Sequence, residues 1–183
     1  MKKISILGFF VVAAFSCGNP SEPAATTEAK KEPAPDTTAK AAPVVYPYTA
    51  KYSSDWKLGD AGNAKLVLHF YKALEEGRFD DLKNYIADTV RILRYDMKAA
   101  RVSNAEAINK LKDFRARFKT LNEEFIAFVP LHSNDKGSDW VAVWMTEKVV
   151  YPNGKKDSTD YQENWLIKGG KVSYVGGMAR YDF

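Results

Sequence analysis

The chain has 183 residues, with 27 Lys and Arg against 23 Asp and Glu, and one cysteine. A single thiol excludes an internal disulfide framework. From Val44 onward, 22 basic and 19 acidic residues are interspersed, without the basic stripe that marks a nucleic-acid binder.

Lys2 and Lys3 precede an apolar run over residues 4–15, then Ser16 and Cys17. The run is too short to cross a bilayer, which takes roughly 20 apolar residues as a helix. Two lysines, a short apolar core and small residues at its exit form a secretory signal. Ala14-Phe15-Ser16-Cys17 resembles the bacterial lipobox, in the relaxed form ending in Ser-Cys that is similar to Bacteroidota lipoproteins. The usual motif has Leu where Ala14 stands and a small residue where Phe15 stands. The resemblance implies a lipoprotein signal peptide over 1–16, cleavage before Cys17, a lipid on its sulfur and acylation of the new N-terminus. Two or more acyl chains anchor stably where one does not.

Residues 17–50 read as the lipidated cysteine and a tether. From 18 to 43 the chain is mostly Ala, Pro, Thr, Glu and Lys, with no aromatic or large aliphatic side chain. Such a stretch cannot bury enough apolar surface to offset chain entropy. Gly18 follows Cys17 in place of the Asp that often retains lipoproteins at the inner membrane. The expected location is the bacterial cell envelope, at the outer membrane facing the periplasm.

Residues 51–183 suffice for one domain with one core. The periodicity predicts a helix over 63–76, with Val67, Phe70, Tyr71 and Leu74 on one face, His69 solvated opposite them, and Gly77 as the stop. A short second helix follows over 79–86, then a strand over 89–95. Ser103-Asn104-Ala105-Glu106 is a capping box opening a third helix that buries Ala107, Ile108, Leu111, Phe114 and Phe118. Strands are expected over 124–132, 139–151, 156–168 and 171–182. Asn153-Gly154 and Gly169-Gly170 read as two-residue hairpin turns. The fold class is α+β: three N-terminal helices packed on a curved antiparallel sheet.

Gly77-Arg78-Phe79-Asp80-Asp81-Leu82, with Tyr85 and Ala87-Asp88-Thr89-Val90, resembles the second-helix signature of the nuclear transport factor two-like, or SnoaL-like, superfamily. Residues 164–172 resemble its closing hairpin. The resemblance implies a cone with an apolar pocket inside and dimerisation through the outer sheet face.

Side chains alternate along strands, so the turns decide which residues share a face. Two-residue turns put Glu147 opposite Asp160, Met145 opposite Gln162, and Trp165 opposite Tyr174. Aligned with the family hairpin, the pocket side then carries Met145, Gln162 and Asn164, with Phe70 from the first helix and Ile92 and Arg94 from the strand after the second. Trp144, Trp165 and Tyr174 form an outer aromatic patch, a candidate homodimer interface. The alternative is that the faces are reversed.

The superfamily includes ketosteroid isomerase, whose chemistry needs a carboxylate base and an oxyanion site made of a Tyr and a protonated acid. Carried over, the Tyr falls on Phe70, the base near Ile92 and the acid on Gln162, none of which fills its role. His132, at a strand end, reads as exposed. No catalytic set, cofactor motif or metal-ligand spacing stands out. The expected function is non-catalytic binding of a small apolar ligand in the cone; an interaction module or an isomerase- or dehydratase-like enzyme is the alternative.

Overall fold

The computed structural model describes residues 45–93 and 99–180, and those from Tyr46 onward form one compact unit. Cys17 and Arg94 lie outside the described residues. No described helix is long and apolar enough to cross a membrane.

The described residues form three helices. α1 (Ala61–Glu75) starts at Asp60, whose carboxylate accepts the Gly62 N–H at 2.7 Å. It stops where Gly77 takes φ +69°, a left-handed conformation that costs glycine nothing. α2 (Phe79–Tyr85) follows at once. α3 (Asn104–Arg115) opens with the expected capping box, in which Ser103 and Glu106 satisfy each other's backbone N–H groups.

Among the described residues, seven strands form one sheet in the order β1-β4-β5-β6-β7-β2-β3. They are β1 (Trp56–Leu58), β2 (Ile86–Leu93), β3 (Ala100–Ser103), β4 (Thr120–Ser133), β5 (Ser138–Val150), β6 (Lys156–Lys168) and β7 (Lys171–Arg180). The sheet is mixed, not wholly antiparallel as expected, because β2 runs parallel to β7. In sequence, β3, α3 and the strands β4 to β6 separate the two, which gives ample chain for a parallel pairing. β1 and β3 have three and four residues and carry too short a pattern to be legible as strands. The helices cover the concave face. Val67, Phe70, Tyr71 and Leu74 of α1, Leu82 of α2 and Ile108 of α3 pack on Val141, Val143 and Met145 of β5 and Trp165 and Ile167 of β6.

Both hairpins depart from the expected register by one residue. In the first, Gly154 N–H donates to Tyr151 C=O at 2.9 Å, and Tyr151 N–H donates to Lys155 C=O at 2.8 Å. Pro152 and Asn153 are the central turn residues, and Gly154, with φ +85°, sits beyond them as a glycine bulge. Proline presets φ for the first central position, so Pro152 takes the turn that Asn153-Gly154 would otherwise make. Val150 therefore pairs with Lys156, Trp144 with Gln162 and Val143 with Glu163. In the second hairpin, Gly169 and Gly170 have φ +55° and +71° and form the expected two-residue turn. A bulge after Ile167–Val172 then shifts the pairing, so Leu166 faces Tyr174 and Trp165 faces Val175. A one-residue slip moves every side chain of a strand to the other face. On β6 the expected faces are exchanged.

Candidate functional site

The exchange reverses several residue assignments. Gln162 and Asn164, expected beside Met145 in the cone, pair with Trp144 and Ala142 and lie on the convex face. Trp165, expected in the outer patch, is 3% exposed and packs against Phe70 and Tyr71 with ring centroids 5.0 and 5.3 Å away. Glu147 faces Thr159, and Asp160 faces Thr146, whose hydroxyl donates to its carboxylate at 2.7 Å. The expected like-charged pair does not form.

Phe70 and Met145 are buried on the concave side, and Ile92 packs against the same core beside Val175. Trp144 is 39% exposed on the convex face. Tyr174 is half-buried there, with Trp140 edge-on at 5.8 Å and the Arg91 guanidinium 5.9 Å from its ring centre. Tyr52 covers part of this region by packing on Trp140 at 5.9 Å. His132 is half-buried, its Nδ1 2.8 Å from the Asp139 carboxylate.

In place of the amides, the cone holds acids and a tyrosine. Tyr71 is buried on α1, and its hydroxyl donates to Glu163 of β6. Glu163 lies over Gly177: a Cβ there would stand 2.7 Å from Glu163 Cγ. The glycine in β7 therefore makes room for the carboxylate. Burial, and then the Glu163 charge, push the Tyr71 phenol well above its usual range. Trp165 Nε1 is buried with no hydrogen-bond acceptor. It is near enough to the Tyr71 oxygen to oppose that rise without meeting hydrogen-bond geometry.

Glu123 of β4 stands opposite Glu147 of β5. At this level β4 is a free edge of the sheet, and the Glu75 carboxylate at the end of α1 accepts the Glu123 N–H at 2.6 Å. Glu123 is 9% exposed, and its Oε2 makes no hydrogen bond. Burial and then the charges of Glu147, Glu163 and Glu75 raise its pKa to about 9. At neutral pH this is a protonated acid beside other carboxylates, which is the way environments separate a proton donor from a proton acceptor. Among the described residues, no group of three His, Cys, Asp or Glu is arranged to hold a metal ion.

An apolar groove of about 460 Å³ opens between α1 and β4. Its floor is Ala61, Ala64 and Leu68 of α1 with Phe128 and Pro130 of β4. Lys65, His69 and Lys72 stand along its α1 side. Phe128 touches Phe125 at 6.4 Å, and Phe125 touches Tyr71 at 5.3 Å. Two rings thus separate the groove from the Tyr71–Glu163 pair.

A tyrosine–acid pair lies one residue along the chain from the positions onto which the resemblance carried its own. Tyr71, not Phe70, presents the hydroxyl, and Glu163, not Gln162, presents the acid. The signal that points to it is Pro152 before Asn153-Gly154, which converts the turn and turns Glu163 inward.

No family model matches the chain, and no curated protein matches it in sequence. Solved structures resemble its fold. An LEH-like epoxide hydrolase from M. tuberculosis superposes with a TM-score of 0.55 at 12% identity, covering 66% of this chain and 84% of that one. AusH from Aspergillus nidulans gives 0.55 at 11% identity, covering 69% and 89%. An NTF2-like protein of unknown function from Exiguobacterium gives 0.54 at 11% identity, covering 64% and 99%. The domain therefore has the nuclear transport factor two-like α+β cone fold.

Proposed function

We propose that the chain is a lipid-anchored domain that binds a small, largely apolar ligand on the concave side of its cone. The carrying observation is the apolar groove, two rings away from a buried polar cluster that has two unpartnered atoms, Glu123 Oε2 and Trp165 Nε1. Unsatisfied buried polar atoms call for a water, an ion or a ligand as partner. A groove of about 460 Å³ is within the size range of small-molecule sites, roughly 300–1,000 Å³. The ligand's apolar body lies on Leu68 and Phe128, with the Phe125 and Phe128 rings between it and the cluster. Thermal unfolding of the full chain across a panel of lipids and metabolites tests this reading. A ligand that raises the unfolding temperature of the wild type and not of Phe128→Asp supports it; a panel with no shift defeats it.

The anchor rests on the sequence. Residues 1–16 serve as the signal, Cys17 carries the lipid, and residues 18–50 tether the domain to the outer membrane on the periplasmic side. Cys17→Ala is expected to move the protein from the membrane fraction to the soluble one and to abolish labelling by palmitate. Unchanged fractionation and labelling would remove the anchor from the account.

A second reading, acid–base catalysis, is favoured by one observation: Glu123 is buried opposite Glu147 and close to the Tyr71–Glu163 pair, an arrangement that raises its pKa. A hydrolase shares this fold. Turnover of any ligand found in the panel, lost in Glu163→Gln and Glu123→Gln with binding retained, would select this reading over plain binding. The convex face carries Trp144 and Met178, 39% and 65% exposed on either side of Gln162, and is the candidate surface for a homodimer. Sedimentation of the wild type beside Trp144→Ala tests it, and a wild type that is monomeric at all concentrations rejects it.

A further inference from the structure

The geometry points to an amphipathic anion, an apolar chain ending in a carboxylate, as the ligand class of the groove between α1 and β4. This deepens the binding proposal above and depends on it. Lys65, His69 and Lys72 are spaced four and three residues apart, so they form one row on the helix, directly beside the apolar floor. The three are not equivalent. Lys72 is already held by Glu75 at 3.1 Å and Glu76 at 3.5 Å. The exposed His69 ring stacks on Tyr85. Lys65 is exposed and, among the described residues, has no ion-pair partner.

No residue lining the groove is acidic, and the acids nearest to it along α1 and β4 have partners of their own. Asp60 spends its carboxylate on the Gly62 N–H at the α1 N-terminus. Glu75 accepts the Glu123 N–H and pairs with Lys72. Glu124 pairs with Lys148 at 2.6 Å, away from the groove. What remains is an apolar trough with one uncommitted cation on its rim. Phe128, 45% exposed, gives the trough a large aromatic surface that the fold itself leaves uncovered. A neutral apolar ligand would use the floor and leave Lys65 idle, and a cationic one would meet the Lys65 ammonium at the rim. An anion with an apolar chain uses both, with its chain on Leu68 and Phe128 and its carboxylate on the Lys65 ammonium. A lysine acts here as a point charge, so the head group is chosen by sign and not by a fixed shape.

Calorimetric titration of the full chain with dodecanoate, 1-dodecanol and dodecyltrimethylammonium, below micelle formation, tests the assignment. The three probes share a chain and differ in head-group charge. Dodecanoate is expected to bind about fivefold more tightly than dodecanol, the scale of one exposed ion pair, with the cation weakest. Lys65→Gln should bring dodecanoate to the dodecanol level and leave dodecanol unchanged. If dodecanol binds as well as dodecanoate, or if Lys65→Gln keeps the preference, the anion assignment is overturned while the groove reading stands. If none of the three binds, both fall.

Discussion

Glu123→Gln is the substitution whose effect follows most directly from the structure. Glu123 faces Glu147 inside the cone, and burial with three neighbouring carboxylates raises its pKa from 4.5 to about 9. A raised carboxylate pKa means that the folded chain keeps a proton that the unfolded chain releases. Below about pH 4.5 both states are protonated and the group costs nothing. Between about pH 4.5 and 9 the unfolded state alone ionises, so stability falls as pH rises, by about 1.4 kcal/mol per pH unit. By pH 7 the cost is about 3 kcal/mol. Above about pH 9 both states are ionised and the loss levels off. Glutamine keeps the shape of the protonated acid and cannot ionise, and its amide has carboxylate acceptors nearby. The substitution is therefore expected to stabilise the protein by about 3 kcal/mol at pH 7 and by about 1 kcal/mol or less at pH 5. Urea unfolding of both proteins at each pH unit from 5 to 9 reads this directly. A variant less stable than the wild type at pH 8, or one with the same fall in stability with pH, would refute the reasoning.

Tyr71→Phe removes the hydroxyl that α1 donates to the partly buried Glu163 carboxylate. It is expected to cost about 1–3 kcal/mol in urea unfolding, and a neutral result would mean that the pair contributes little. Gly177→Ala places a methyl 2.7 Å from Glu163 Cγ. A loss of about 1–3 kcal/mol is expected, and Glu163→Ala should recover most of it in the double variant. Additive losses would show that the two residues do not compete for space. Trp165→Ala should cost about 3–5 kcal/mol as a core truncation, while Trp144→Ala, on the convex face, should stay within about 0.5 kcal/mol. Comparable losses at the two tryptophans would contradict the assigned register.

The helices were legible because their signals are local. Ser103 and Glu106 cap α3 from within four residues, and Gly77 ends α1 through its own φ. The apolar spacing of Val67, Phe70, Tyr71 and Leu74 identifies the buried face of α1 without any partner. The sheet faces were less legible because they depend on where each turn begins. Asn153-Gly154 read alone gives one register, and Pro152 in front of it gives another. The bulge before Tyr174 has no comparable signal in the chain: Ser173 donates its hydroxyl to Leu166 C=O at 3.2 Å, a contact that exists only once the strands are paired. Gln162 and Asn164 were thereby exchanged for Glu163 and Trp165 as the inward residues. Composition does not separate the two faces, since Trp144 and Met178 on the convex side are as apolar as Met145 on the concave one. The groove was illegible for another reason. Leu68 and Phe128 belong to distant segments, and no periodicity within α1 marks Ala61 and Ala64 as the wall of a cavity.

The account depends most on the claim that the groove beside α1 takes an apolar ligand. The direct measurement is the stoichiometry of 1-dodecanol binding to the full chain and to Phe128→Asp, by calorimetry, with both unfolding curves recorded. Phe128 is exposed enough that the substitution should leave the fold intact while placing a charge in the middle of the apolar floor. One saturating site in the wild type, absent in the variant at equal stability, is the predicted result. No saturable binding in the wild type, or equal binding in the two proteins, would contradict it.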